Sequence, residues 1–460
     1  KNITGIFDCT ENEIQNFETT KIEDRFWRSY TTDAFYRWQI GTSGQEFSIE
    51  GNYANDRRRV TSLLTTNETQ FMDRENYQPA DTRIMAFRSD YKLPLNDHFK
   101  LETGIKYSQT DLNNEQDSKV LLNDTWTNDI LLSNTFAYEE DIYAAYASMH
   151  VNKGPWEANV GLRYENSQAI GYSETLDSTI NLNIAKVFPS VSINTPFIGP
   201  LGAAVSYSYR IERPSYFALN PFQYFLDPLT YQKGNPFLVP ELTHSGQFSL
   251  TFEKQPFFNL SYDYTQDVLT EVIEQDDETG EAFKTDINLE KYIRYGGSLF
   301  FPLDFIAKPI SGYGGVMIFY HDYQAEYLGL DYLQNQWTTN AFLQVNVKLP
   351  KDWKLEVTGW LQGKGLDGII RYETFYGVDA GIQKKFLDDK LKLQLSADGI
   401  VQKFFNGKVD YANLNMDIIS EWEAPRFNAR VTWSFGNQHL KKKETRKSAS
   451  ADERRRAQGN

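Results

Sequence analysis

Apolar and polar positions alternate with a period of two along most of the chain. Phe99, Leu101, Ile105 and Tyr107 alternate with Lys100, Glu102, Gly104 and Lys106. Ala158, Val160, Leu162 and Tyr164 alternate with Asn159, Gly161, Arg163 and Glu165. The same pattern sets Ala203, Val205, Tyr207 and Tyr209 against Ala204, Ser206, Ser208 and Arg210. It recurs with Leu355, Val357 and Leu361 opposite Lys354, Glu356 and Thr358, and with Leu391, Leu393, Leu395 and Ala397 opposite Lys392, Gln394, Ser396 and Asp398. Successive side chains of a strand point to opposite faces, so each segment predicts a strand with one apolar and one charged face. A soluble sandwich gives this alternation too. The connections discriminate between the two.

Short connections are predicted at 41–44, 95–98, 152–155, 198–202, 254–256, 349–352 and 387–390. Between them lie longer polar segments at about 64–68, 112–127, 172–181, 211–242, 273–283, 327–336, 363–370 and 403–416. Short periplasmic turns alternating with long extracellular loops are the outer-membrane barrel arrangement. The connection at about 302–311 is long for its side. About 17 strands are predicted from residue 31 to 435, with a loop or partial strand over 1–30. Single-chain bacterial barrels have even strand counts, and a transporter barrel has 22. The expected fold is therefore an all-β, antiparallel transmembrane β-barrel, incomplete at about 17 of 22 strands. The chain reads as the C-terminal portion of a longer protein.

Composition agrees. Tyr (28) and Phe (31) far outnumber Cys (1) and Met (5), yet mean hydropathy is −0.56. A membrane helix needs about 18 consecutive apolar residues, and the sequence has no such run. A polar average with many aromatics fits strands that face lipid on one side, with aromatic girdles at both interfaces.

Residues 210–243 carry the most specific signal. Gly234-Asn235-Pro236-Phe237-Leu238-Val239-Pro240-Glu241 follows a block containing Arg210, Arg213, Pro214, Tyr216, Leu219, Asn220, Pro221 and Phe222. Proline fixes φ and glycine permits positive φ, so these residues alone predict a long loop. The ordered motif resembles the G-N-P-x-L-x-P-E signature in an extracellular loop of TonB-dependent outer-membrane receptors. That resemblance implies an outer-membrane location in a Gram-negative bacterium and uptake of a scarce solute. It also implies an energy-coupling TonB-type partner acting through an N-terminal plug region that this sequence does not contain. A surface lipoprotein is a further partner in this reading. If the loop contacts ligand, the candidates are Arg213, Tyr216, Asn220, Tyr224 and Asp227, which offer cationic, aromatic and hydrogen-bonding groups; packing of the loop is the competing role.

Phe427, Ala429, Val431, Trp433 and Phe435 form a last amphipathic strand closing on an aromatic residue. It resembles the C-terminal signal read by the barrel-assembly machinery, with Trp433 and Phe435 as its aromatic end. Such signals often end the chain, whereas residues 436–460 follow here. That tail holds eight basic residues (Lys441, Lys442, Lys443, Arg446, Lys447, Arg454, Arg455, Arg456) against Glu444, Asp452 and Glu453, a net of +5, so residues 1–435 carry −20 of the total −15. Without aromatics, the tail is predicted to be a disordered, solvated extension. The acidic remainder argues against a nucleic-acid partner.

Enzymatic constellations are absent from the sequence. The histidines at 98, 150, 244, 321 and 439 are scattered, Cys9 stands alone, and no G-x-S-x-G or phosphate-binding glycine loop occurs. Asp276, Asp277 and Glu278 form a dense carboxylate group, read as a solvated loop tip in preference to a cation site. No enzyme, cofactor or metal is expected. The leading function is a receptor-like transporter. The alternative is a non-transporting outer-membrane barrel whose loops dock proteins or serve assembly, with a soluble β-rich binding protein or glycan-active enzyme third.

Overall fold

The computed structural model describes residues 2–7, 13–68, 71–175, 177–435 and 447–458. Numbered in chain order, the wall strands are β1 (Glu13–Ile40), β2 (Gln45–Thr66), β3 (Arg74–Pro94), β4 (Phe99–Leu122), β5 (Asn134–Lys153), β6 (Trp156–Ser173), β7 (Ser178–Ile198), β8 (Leu201–Glu212), β9 (Glu241–Phe252), β10 (Gln255–Gln275), β11 (Ala282–Pro302), β12 (Ile310–Tyr327), β13 (Leu330–Lys348), β14 (Trp353–Gln362), β15 (Phe375–Phe386), β16 (Leu391–Lys403) and β17 (Arg426–Trp433). Each pairs antiparallel with the next, in one continuous sheet. The outer edge of β1 pairs with Asn2–Phe7, while β17 pairs only with β16 among the described residues. The two edges do not meet, so the wall is a barrel left open. The strand count agrees with the sequence reading.

Burial is inverted relative to a water-soluble protein. Polar side chains such as Glu50, Asn52, Ser108, Thr110, Glu140, Glu165 and Ser167 are buried, while Ile105, Leu162 and Leu395 are 55%, 55% and 60% exposed. An exposed apolar face is costly in water and favourable against lipid. At the short-turn end the outward tryptophans Trp38, Trp156, Trp353 and Trp433 all lie within three residues of a strand terminus. Their amphipathic rings form a girdle at that membrane interface. Among the described residues no helix is long and apolar enough to cross a membrane.

The seven short connections fall where expected, several on residues with positive φ such as Gly41, Gly44, Gly154 and Gly199. The expected long connection near 302–311 spans 303–309. On the opposite side the structure departs from the sequence reading. Most of segment 327–336 continues the β12–β13 ladder to a two-residue turn at Leu328-Gly329, both with positive φ. The 172–181 segment likewise belongs mainly to β6 and β7, and much of 112–127 to β4. Both faces of these extensions meet water or lumen, so the apolar alternation that marks a membrane strand fades before the strand ends. Residues 13–30, expected to be a loop or partial strand, are the first part of β1 for the same reason.

Of the tail expected to be disordered, residues 436–446 lie outside the described residues, and the end of it is ordered. Ala451–Gln458 forms helix α2, seated against the inner face of the wall. Composition gave no basis for that order because the helix is held by charged groups far away in sequence.

Candidate functional site

The loop between β8 and β9 turns into the lumen rather than outward. Its first element is the one-turn helix α1 (Tyr216–Leu219), capped by Ser215, whose hydroxyl accepts from the Ala218 amide at 3.1 Å. A small hairpin follows, Gln223–Asp227 paired with Thr230–Lys233. The Asp227 carboxylate accepts from the Leu229 amide at 2.9 Å and so fixes the hairpin turn. The chain then passes directly over α1. A Cβ at Gly234 would lie 2.2 Å from the Asn220 carbonyl oxygen and 2.6 Å from that of Ala218, so only glycine fits there.

The rest of the motif fixes backbone. Asn235 donates its amide to the Ala218 carbonyl at 2.6 Å and its side-chain nitrogen to the Asp286 carbonyl at 3.1 Å. Its side-chain oxygen accepts from Phe237, turning the chain at Pro236. Asn288 receives the Val239 amide at 2.9 Å and donates to the Val239 and Asp267 carbonyls. Asp267, at positive φ, interrupts the β10–β11 ladder without shifting its register, and Glu241 holds the strand beside it by accepting from the Leu269 amide at 3.1 Å. Pro240 lies between these two anchors. An apolar cluster of Tyr216, Leu219, Phe222 and Leu238 against Leu112, Phe136 and Tyr138 packs the loop onto β4 and β5.

Beneath the loop is a buried ion cluster. Arg213 pairs with Glu165 and lies 3.8 Å from Glu140, and Arg163 reaches Glu165 at 2.7 Å. The Tyr216 hydroxyl bonds Thr110 at 3.0 Å and Glu140 at 3.2 Å. Arg456 of α2 completes it: its guanidinium pairs with Glu140, donates to the Pro214 carbonyl at 2.9 Å, and sits 4.2 Å above the Tyr216 ring. Buried charges need such partners, because desolvation otherwise exceeds the Coulombic gain. Nothing local in the sequence marks Glu140, Glu165, Thr110 or Arg456 as one site.

A cavity of about 630 Å³ opens between α2 and β3–β8. Eight cationic side chains line it (Arg88, Lys106, Arg163, Arg210, Arg213, Lys447, Arg455, Arg456), against Glu165, Glu212, Asp452 and Glu453. From behind, Glu50 and Asp90 both answer Arg88, and Glu140 answers Arg456 and Arg213. Only Arg210, which is exposed, makes no ion pair with a described residue. This cavity is thus close to charge balance, although the chain as a whole is strongly acidic.

Of the five ligand candidates, Arg213 lines this cavity. Tyr216, Asn220 and Tyr224 border a smaller one of about 100 Å³. Asn220 donates to the Tyr224 hydroxyl at 3.2 Å and, next to Pro221, accepts from Phe222. Asp227 borders neither. A third cavity, of about 440 Å³, lies under a four-stranded sheet made from the β14–β15 and β16–β17 loops. That sheet packs Leu366, Ile369, Val409 and Leu414 on Val272, Leu289, Tyr323 and Tyr332.

Among the described residues no group of three His, Cys, Asp or Glu side chains is placed to hold a metal. Asp276 instead closes its turn, accepting from the Thr279 and Glu278 amides at 3.1 and 2.8 Å. Those bonds hold its carboxyl below the ordinary aspartate range.

A wall with lipid-facing apolar residues, an aromatic girdle and a polar, loop-filled lumen defines an outer-membrane β-barrel. The chain belongs to the outer membrane protein beta-barrel family, whose model matches residues 38–433. It is a protein of the Gram-negative outer membrane, and that family is one of membrane barrels, not of enzymes. Among solved structures it is similar in fold to the ferric citrate transporter FecA (12% identity, TM-score 0.57, covering 88% of this chain and 60% of that one). It is also similar to the copper transporter OprC (12%, 0.56, 94% and 74%) and to the ferric yersiniabactin uptake receptor FyuA from Yersinia pestis (10%, 0.52, 93% and 72%). The chain therefore spans 60% of the length of the ferric citrate transporter. No curated protein sequence matches it.

Proposed function

We propose that this chain is the barrel portion of a TonB-dependent-receptor-like transporter that takes up a scarce solute through its lumen. The observation that carries the reading is the inward-folded 210–241 loop, whose receptor-like motif residues anchor it over a lumenal cavity. The fold likeness to transporters supports it. In this reading Arg210 and Arg213 face the solute path. Tyr216, Asn220, Tyr224 and Asp227 shape the loop, each already bonded within it or to the wall. An energy-coupling TonB-type protein drives uptake, the assembly machinery reads Trp433 and Phe435, and a surface lipoprotein is a candidate partner at the extracellular rim.

One observation favours a second reading, a non-transporting barrel that docks proteins: α2 and the motif loop together occupy the lumen. Growth of a deletion strain, with and without the restored gene, separates the two. Across media limited in turn for iron, copper, a corrinoid or an oligosaccharide, a transporter gives a defect in one medium, reproduced by loss of the energy-coupling protein. Absence of any such defect, with intact surface complexes lost instead, supports docking.

A further inference from the structure

We propose that the lumen contains a peptide-binding site, that its ligand is the chain's own segment 448–457, and that this segment is a releasable latch on the motif loop. Ser450, Ala449, Glu453 and Arg456 are 0%, 3%, 3% and 6% exposed, as deeply buried as the wall's own inner side chains.

The contacts run from β1 and β2 at the start of the segment to β4, β5 and β8 at its end. Ser448 donates to Asp33 of β1 at 3.0 Å, the Ala449 amide donates to Glu50 of β2 at 3.0 Å, and Ser450 bonds Asn52. Glu453 accepts from Lys106 at 2.8 Å and from Ser108 at 2.7 Å, both on β4. Arg455 donates to Glu212 of β8 at 2.9 Å, and Arg456 pairs with Glu140 of β5. The wall therefore offers a cation to the acidic first turn and carboxylates to the basic last turn, matching the charge order Asp-Glu-Arg-Arg-Arg of the helix. Glu453 and Arg456, three residues apart, share one face.

The chemistry of the segment marks it as a ligand rather than a core element. Residues 447–458 contain no apolar side chain larger than alanine, so little hydrophobic burial retains them. An eight-residue helix is not stable alone in water, so α2 folds on its seat. What holds it is a set of ion pairs and hydrogen bonds that another polar body can replace. Through Arg456 it grips Pro214 and Tyr216 at the base of the motif loop, so release of the segment removes one anchor of that loop and loosens its base.

The test uses the full-length gene product shortened to end at Gly436 and purified in detergent, with a labelled peptide of residues 447–458 as probe. The shortened barrel binds the peptide saturably. The intact protein does not, because its seat is filled. Peptides carrying Glu453→Lys or Arg456→Glu bind about tenfold more weakly or worse. A heat-modifiable, folded barrel that ignores the peptide, or that takes the charge-reversed peptides equally well, overturns the site. Trypsin reads the latch separately: cleavage at Lys233 accelerates in the shortened barrel and slows again with peptide, and an unchanged rate overturns the latch. Should the shortened chain not fold, the intact chain with Cys9→Ser, Asn52→Cys and Ser450→Cys forms a disulfide in isolated membranes. Failure to do so, while a control pair at Val160 and Val191 on neighbouring strands crosslinks, overturns the seat. No solute or energy source enters these measurements, so their outcome is independent of whether the barrel transports.

Discussion

Replacing Leu395 by arginine tests the orientation of the wall. Leu395 is 60% exposed on the outer face of β16, four residues from the short-turn end at Leu391. A strand rises about 3.3 Å per residue, and with a tilt of about 40° this residue sits roughly 10 Å into an apolar band about 25 Å tall. Arginine near that depth costs about 2–4 kcal/mol, a shift of roughly 30- to 700-fold in the folding equilibrium. The neighbouring Ser396 points inward beside Glu356, Asp379 and Asp398, so Ser396→Arg gains carboxylate partners and costs little. Urea unfolding of both variants in lipid vesicles, followed by heat-modifiable migration on gels, measures the difference. Equal midpoints would refute the assigned facing. Leu393→Arg, only two residues from the turn, falls nearer the interface and costs about 0–1 kcal/mol.

Gly234→Ala forces apart the crossing of the motif loop over α1 and costs about 1–3 kcal/mol; faster hydrogen exchange at Asn235, with the wall amides unchanged, is the expected readout. Arg456→Ala leaves Glu140 buried with a weaker set of partners and lowers stability by about 1–3 kcal/mol, whereas Arg456→Met with Glu140→Gln recovers much of the loss in urea unfolding. Trp433→Ala with Phe435→Ala reduces the fraction of protein reaching the outer membrane, because the girdle is broken at the closing strand. Ending the chain at Gly436 leaves that fraction unchanged, as membrane fractionation will show.

The membrane-embedded wall was legible in the sequence because lipid enforces strict alternation: Leu393 and Leu395 face out as the pattern required, and the turns at 41–44 and 152–155, marked by Gly41, Gly44 and Gly154, end their strands. Beyond the bilayer that rule lapses. Hairpins such as β12–β13 carry polar residues on both faces and read as loops. The motif loop was recognisable by its order of residues, but its work was not, since the partners of Asn235 and Glu241 lie on β10 and β11. The seat of α2 was invisible for a stronger reason. Arg456 and Glu140 are 316 positions apart, and neither carries a local signature of the other.

The continuation of paired strands past the bilayer gives the barrel reach. The β12–β13 turn at Leu328-Gly329 lies 18 residues up from Ile310, so its tip stands roughly 20 Å above the apolar band. Laddered strands at that height form a stiff vestibule, whose shape is set by backbone pairing and not by loop sequence. Residues at the tips can then change freely while the part of the wall that inserts into lipid stays under a separate constraint.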